Sequence, residues 1–393
     1  YPQKNLFSHI IGQIDDDNNG ISGIEKSFDN ELKEIKKPLK LTVDTDIQFL
    51  IREELIKFKP IFQDIGSAAI LMDVNNGEIL SMVSLPDFNL NERKTISDLN
   101  YINRATKGVY ELGSVFKTFT IAAGLDKGLI KPDTEFLNLK KKLDCGKSTI
   151  TEYDNKILSD LTAEEILIKS GNIGSVRIGQ MLGIEGLKSF LEKIGVLYKI
   201  DFDIEEVGQP IPFRWGKCKL ATASFGHGIT TTPLQLVKAY GIISNGGFDI
   251  TPTLIKSKKK NNKKRIIKKK TSEAINLILR RIVVEGTAKL ANVNGYEVGG
   301  KTGTANKSTK GGYSKKKINT FSSIFPTSNP KFALVVLMEE TQISPDYIYE
   351  YRDGSGFKLK GSPRNTAAWT SVEVAGKIIE KIGPILATKY IEN

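Results

Sequence analysis

The chain has 393 residues, 39% of them hydrophobic, and a mean hydropathy of −0.22, which is the composition of a folded protein and excludes a disordered one. Its two histidines, His9 and His227, and its two cysteines, Cys145 and Cys218, lie far apart, which argues against a His-rich metal site, a zinc ribbon or CxxC redox chemistry. The net charge of +12 comes mostly from lysine, whereas phosphate- and base-reading surfaces favour arginine, so no nucleic-acid partner is expected.

Residues 1–40 mix turn signals with charge, as in Asp15-Asp16-Asp17-Asn18-Asn19-Gly20, and read as an irregular leading segment without a core of its own. The chain begins at Tyr1 with no signal peptide and no stretch of roughly 20 apolar residues, so it is expected to be a piece of a longer chain. From Leu41 the pattern tightens. Asp46 is placed to cap a helix over Gln48 to Phe58. Ala68 to Val74 and Glu78 to Val83 form a predicted hairpin about Asn75-Asn76-Gly77.

The middle third reads as mostly helical. The tract Lys256–Lys270 reads as a solvated loop. Thr320 to Phe325 and Lys331 to Glu339 form a second strand pair, the last strand nearly all apolar and so covered on both faces. Thr366 to Ile382 closes the chain as a helix. Strands at both ends with helices between them predict an α+β fold, one antiparallel sheet flanked by helices.

Three segments carry chemistry. After the turn at Gly113, residues 114–127 are apolar on nearly every face until Gly128 stops the helix. Ser114 and Lys117, three apart, share one face of its first turn. A buried lysine has a lowered pKa and can act as base for a neighbouring hydroxyl. The helix start offers N–H groups to an oxyanion. The S-x-x-K spacing alone is weak, since it recurs at Ser257, Ser314, Ser328 and Ser355, but only Ser114 opens an apolar helix.

Thr162-Ala163-Glu164-Glu165 starts another helix as a capping box, and Gly171 breaks it. Ser170 and Asn172 then sit in a tight link before a helix from Ile173 to Leu182. Finally, Tyr296 to Ala305 reads as a glycine-rich strand. It carries Lys301, Thr302, Gly303 and Thr304, suited to a carboxylate, with glycines that suggest close approach by a ligand and an edge that suits an extended peptide.

S-x-x-K, S-x-N and K-T-G in this order resemble the active-site set of penicillin-binding proteins and serine β-lactamases. Gly20 to Phe28, Leu41 to Asp44, Asn103-Arg104-Ala105, and Ser224 to Gly228 with Thr232-Pro233-Leu234-Gln235 are similar to class B penicillin-binding proteins, above all their division-specific branch. Two positions depart from that pattern: Leu112, where proline is frequent, and His227, where glutamine or tyrosine is common.

The resemblance implies the penicillin-binding transpeptidase fold, with residues 41–393 as the transpeptidase domain and residues 1–40 as the remnant of an N-terminal pedestal. It implies Ser114 as nucleophile, Lys117 as its base, Ser170 as proton relay, and Asn172 orienting Lys117 and the substrate amide. Lys301, Thr302, Gly303 and Thr304 would bind the substrate carboxylate, with Lys301's charge keeping Lys117 neutral. The reaction would cross-link peptidoglycan stem peptides through a serine acyl-enzyme, be blocked by β-lactam antibiotics, and need no metal or cofactor. It would take place on the periplasmic face of the bacterial inner membrane, beside a glycosyltransferase and other division proteins. A β-lactamase, a D,D-carboxypeptidase or a penicillin sensor is the alternative. Cys145 and Cys218 stay open, to pair or to remain free.

Overall fold

The computed structural model describes residues 1–34, 38–92, 98–146, 148–256, 264–309 and 312–391. Its centre is a five-stranded antiparallel sheet built from β1 (Gly66–Asp73), β2 (Ile79–Leu85), β3 (Gly299–Thr309), β4 (Gly312–Phe325) and β5 (Phe332–Glu339) in the order β2-β1-β5-β4-β3. All eight residues of β5 are buried, as its continuous apolar run requires of a middle strand covered on both faces. The helices Thr45–Phe62 and Ser371–Leu386 pack together over one face. Pro233–Ser244 and Lys269–Val284 cover the other. The α+β expectation holds.

Local chemistry explains most of the boundaries. Helix Thr45–Phe62 is capped by Asp44, whose Oδ1 accepts from the N–H groups of Asp46 (3.0 Å) and Ile47 (3.2 Å). Asp46, the expected cap, lies inside the first turn. Ile47, Ile51, Leu55, Phe58 and Phe62 form its buried stripe. The β1–β2 turn follows its sequence, with Gly77 at φ +81°. The last helix begins at Ser371 rather than Thr366, after a short 3-10 turn at Ala367–Trp369.

Three regions differ from the sequence reading. Residues 1–34 are not merely irregular. They hold short helices at Ser8–Ile11, Gly23–Ser27 and Asp29–Glu34, and Ile10 and Ile24 enter the main core. The middle third contains a hairpin, Lys142–Cys145 with Ser148–Thr151, and a two-residue pair between Glu135–Phe136 and Leu161–Thr162. These strands are too short and too exposed to show a period. Of the tract Lys256–Lys270, and of the S-x-x-K at Ser257, residues 257–263 lie outside the described residues, and Lys269 and Lys270 already belong to a helix.

A buried ion pair ties the end of the chain to the wall of the main cavity. Arg352 Nη2 meets Glu373 Oε1 at 2.6 Å and Nη1 meets Oε2 at 3.0 Å, while Nη1 also donates to the Leu290 carbonyl at 2.5 Å. Removing one partner of such a pair strands a buried charge. Among the described residues, Glu373→Ala leaves Arg352 the Leu290 carbonyl and, as its anion, the half-exposed Glu380 at 3.4 Å. The substitution is expected to cost about 3 kcal/mol of stability, read by urea denaturation.

Candidate active site

The first element of the site is a 3-10 turn, Gly113–Phe116, that runs into the helix Lys117–Lys127. Ser114 lies in that turn, and Lys117, three residues on, opens the helix with its backbone N–H on the Ser114 carbonyl. The sequence expected an α-helix from Ser114; its first turn is 3-10 instead. Buried Tyr240 steadies the turn through Thr118 Oγ1 (2.9 Å) and the Val115 carbonyl (3.2 Å).

The second element is the link between the helices Ala163–Ile168 and Asn172–Lys193. Thr162 and Glu165 form the expected capping box. The helix then ends with Gly171 N–H on the Ile166 carbonyl and Ser170 N–H on the Leu167 carbonyl, a Schellman arrangement. Its left-handed residue is Ser170, at φ +59°, where glycine is the usual choice. Gly171, the expected breaker, is extended at φ −65° and ψ 129°. A serine held in this region signals a constraint on its hydroxyl.

That hydroxyl is the hub of the site. Lys117 Nζ donates to Ser170 Oγ at 3.1 Å and to the Ser170 carbonyl at 2.5 Å; Lys301 Nζ donates to the same Oγ at 2.9 Å. Both lysines are fully buried. Burial pushes Lys117 down to about 7, opposed only by the negative charge of Glu152. Burial also brings Lys301 well below its usual range, helped by its repulsion from Lys117. The expectation that a charged Lys301 neutralises Lys117 is therefore corrected: desolvation acts on both amines.

The third element is β3, whose outer side is the free edge of the sheet. Thr302 Oγ1 lies 2.9 Å from Thr287 Oγ1 and 3.4 Å from Lys301 Nζ. Thr304 Oγ1 accepts from the Ala367 N–H at 2.9 Å and keeps its own hydrogen to donate. At Gly303 the close approach is made by the chain's own backbone. A Cβ there would lie 2.1 Å from the Leu112 carbonyl oxygen, so its glycine admits the chain's own backbone. Gly226 has the same task, since a Cβ there would lie 1.9 Å from the Gly113 carbonyl oxygen.

These contacts bring Ser114, Ser170, Asn172, Thr302 and Thr304 onto the wall of one cavity of about 690 Å³. Lys117 and Lys301 sit behind it, joined through Ser170. Asn172 is placed differently from the sequence expectation: its Nδ2 donates to the Thr151 carbonyl at 2.8 Å, while Lys117 Nζ bonds to Ser170. The same wall carries Glu111, His227 and Tyr313. His227 was noted only as a departure; Glu111 and Tyr313 had no sequence signal, because they meet across 202 positions.

Glu152 is a further supporting residue missed in the sequence. Its carboxylate accepts from the N–H groups of Asn172 (2.7 Å) and Ile173 (2.9 Å) at the start of their helix. The hairpin that carries Thr151 is tied by a Cys145–Cys218 disulfide to the helix Lys217–Ala223, which leads to Phe225 and His227. The pairing left open by spacing is thus settled.

A family profile described as the penicillin-binding protein transpeptidase domain matches residues 67–355. The chain belongs to that family. It is of the class B, FtsI type. This transpeptidase-family chain is 29% identical over 99% of its length to the probable peptidoglycan D,D-transpeptidase FtsI of Caulobacter vibrioides. It is 31% identical over 86% of its length to stage V sporulation protein D of Bacillus subtilis. It spans 66% and 59% of those two proteins' own lengths. The structure superposes on penicillin-binding protein 3 of Mycobacterium tuberculosis with a TM-score of 0.83 at 24% identity, covering 98% of this chain and 90% of that one. The fold is therefore the penicillin-binding transpeptidase fold. Among the described residues no helix is long and apolar enough to cross a membrane.

The strained link gives a direct test. Glycine relieves a left-handed position that alanine does not. Ser170→Gly is expected to be more stable than Ser170→Ala by about 1 kcal/mol in urea denaturation, the cost of a Cβ in that region.

Proposed function

We propose that this chain is a peptidoglycan D,D-transpeptidase that passes a stem peptide through an acyl-enzyme on Ser114 and is acylated by β-lactam antibiotics. One observation carries the reading. Lys117 and Lys301, both buried, converge on the Ser170 hydroxyl beside Ser114, in a cavity bordered by the free edge of β3.

The chemistry follows from that geometry. The extended donor peptide adds to the β3 edge, with its terminal carboxylate met by Lys301, Thr302 and Thr304. That carboxylate favours the charged form of Lys301, while burial keeps Lys117 available as the uncharged amine. Lys117 takes the Ser114 proton as Oγ attacks the carbonyl of the penultimate D-alanine. Backbone N–H groups of Ser114 and Thr304 receive the oxyanion. Ser170, in contact with both amines, passes a proton to the departing D-alanine. Asn172 lines the same cavity and binds the peptide through its side-chain amide. A second stem peptide's amine then attacks the ester and Ser114 is regenerated.

We assign residues 41–393 to the transpeptidase domain and residues 1–40 to the end of a pedestal. The FtsI name of the Caulobacter relative supports septal wall synthesis on the periplasmic face of the inner membrane. The partners that fit are a membrane glycosyltransferase and other division proteins.

Ser114→Ala is expected to abolish covalent labelling by fluorescent penicillin while the melting profile stays that of a folded protein. Full labelling of that variant contradicts the assignment of the nucleophile. The base form of Lys117 is the deprotonated one. The acylation rate of the wild type should therefore rise with pH through about 7 and level off above it. A rate flat from pH 5 to 9 contradicts the role of Lys117. Release of the drug within seconds would place the chain with the β-lactamases instead.

A further inference from the structure

Glu111 lines the cavity three residues before the nucleophile, yet nothing in the donor half of the reaction uses it. Its side chain is only 8% exposed. Its partners are neutral donors: Gly228 N–H reaches Oε2 at 2.8 Å, and the Tyr313 hydroxyl lies 2.8 Å from Oε1 and 3.1 Å from Oε2. Among the described residues the one basic side chain paired with it is His227, with Nδ1 3.8 Å from Oε2. Among the described residues no lysine or arginine forms an ion pair with it.

A buried carboxylate without a cation is costly and is best balanced by a cation from outside. Here the carboxylate is also held rigidly. Gly226 and Gly228, at φ +84° and +76°, shape the loop that aims the Gly228 N–H at it, and the His227 ring packs on Tyr313 with centroids 4.8 Å apart. The group that must enter this cavity after D-alanine leaves is a primary amine, a cation at neutral pH.

We propose that Glu111, steadied by Tyr313 and Gly228, is the subsite that binds the primary ammonium of the acceptor peptide. The inference rests on the transpeptidase reading. It divides the cavity by charge: the anionic tail of the donor goes to Lys301 and the β3 edge, and the cationic amine of the acceptor goes to Glu111. The ammonium first gives one proton to the imidazole of His227. The free amine nitrogen then forms a bond to the acyl carbon as the bond from that carbon to Ser114 Oγ breaks. The second amine proton returns to Ser114 Oγ through Lys117. His227 gives its proton to solvent, and the balance closes with a new amide and a free serine.

The test measures how the acyl-enzyme divides between nucleophiles. The full chain is acylated with an N-acyl-D-alanyl thioester. A peptide amide with one free lysine side-chain amine then competes with methanol, and products are counted by mass spectrometry. The ratio of amide to methyl ester cancels any change in acylation rate. A merely structural role for Glu111 would alter both products alike.

Glu111→Gln is expected to lower the ratio about tenfold, the value of one charge–charge contact of 1.4 kcal/mol. Tyr313→Phe, which keeps the carboxylate but frees it, should lower it several-fold, and it carries the test if Glu111→Gln does not fold. A ratio within about twofold of wild type in the folded variant overturns the inference while leaving the acyl-enzyme reading intact. A wild-type chain that forms the acyl-enzyme but transfers to methanol and never to the amine also overturns it. A wild-type chain that forms no acyl-enzyme from the D-alanyl donor overturns the transpeptidase reading itself.

Discussion

Two lysine amines, both out of reach of solvent, meet on a single serine hydroxyl, and the rest of the site is arranged around that contact. Two ammonium ions are costly in so small a dry space, since among the described residues neither forms an ion pair with a carboxylate. Burial, with the repulsion between them, disfavours the charged form of both amines. The same hydroxyl is a hydrogen-bond donor as well as an acceptor, so it can pass a proton in either direction without moving. The cost appears in the backbone, where Ser170 occupies a conformation that its neighbour Gly171 could have taken more easily.

The nucleophile reaches this hub because three stretches of backbone touch. Leu112 and Gly113 lie against Gly303 and Thr304 on one side and against Gly226 on the other, at separations that leave no room for a Cβ. The sheet edge, the 3-10 turn and the Gly226–Gly228 loop therefore behave as one rigid wall. Carboxylate binding on β3 is thereby coupled to the position of Ser114. The Cys145–Cys218 bond and the Glu152 cap perform the matching task for the opposite wall, holding the Ser170–Asn172 link.

Much of this was legible in the sequence because it is local. The β1–β2 hairpin, the all-apolar β5, the Thr162–Glu165 capping box and the Gly128 stop depend on residues a few positions apart. The three motifs could be ranked above their weaker copies because each sits on an element whose burial or edge position suits its chemistry. What escaped was set by distant partners. Asn172 turns its Nδ2 to Thr151, and the missing Cβ of Gly303 makes room for the Leu112 carbonyl. Glu111 meets Tyr313 only after β3 and β4 have paired. The placement of the helix break failed for another reason. Propensity favours glycine at a left-handed position, and here the need for a hydroxyl overrode it.

The most direct measurement is intact-protein mass spectrometry after exposure to benzylpenicillin, followed over hours and mapped by proteolysis. The account requires a single adduct of the drug's full mass, held by the peptide that contains Ser114 and persisting after free drug is removed. An adduct on any other residue, or none at all, would contradict it.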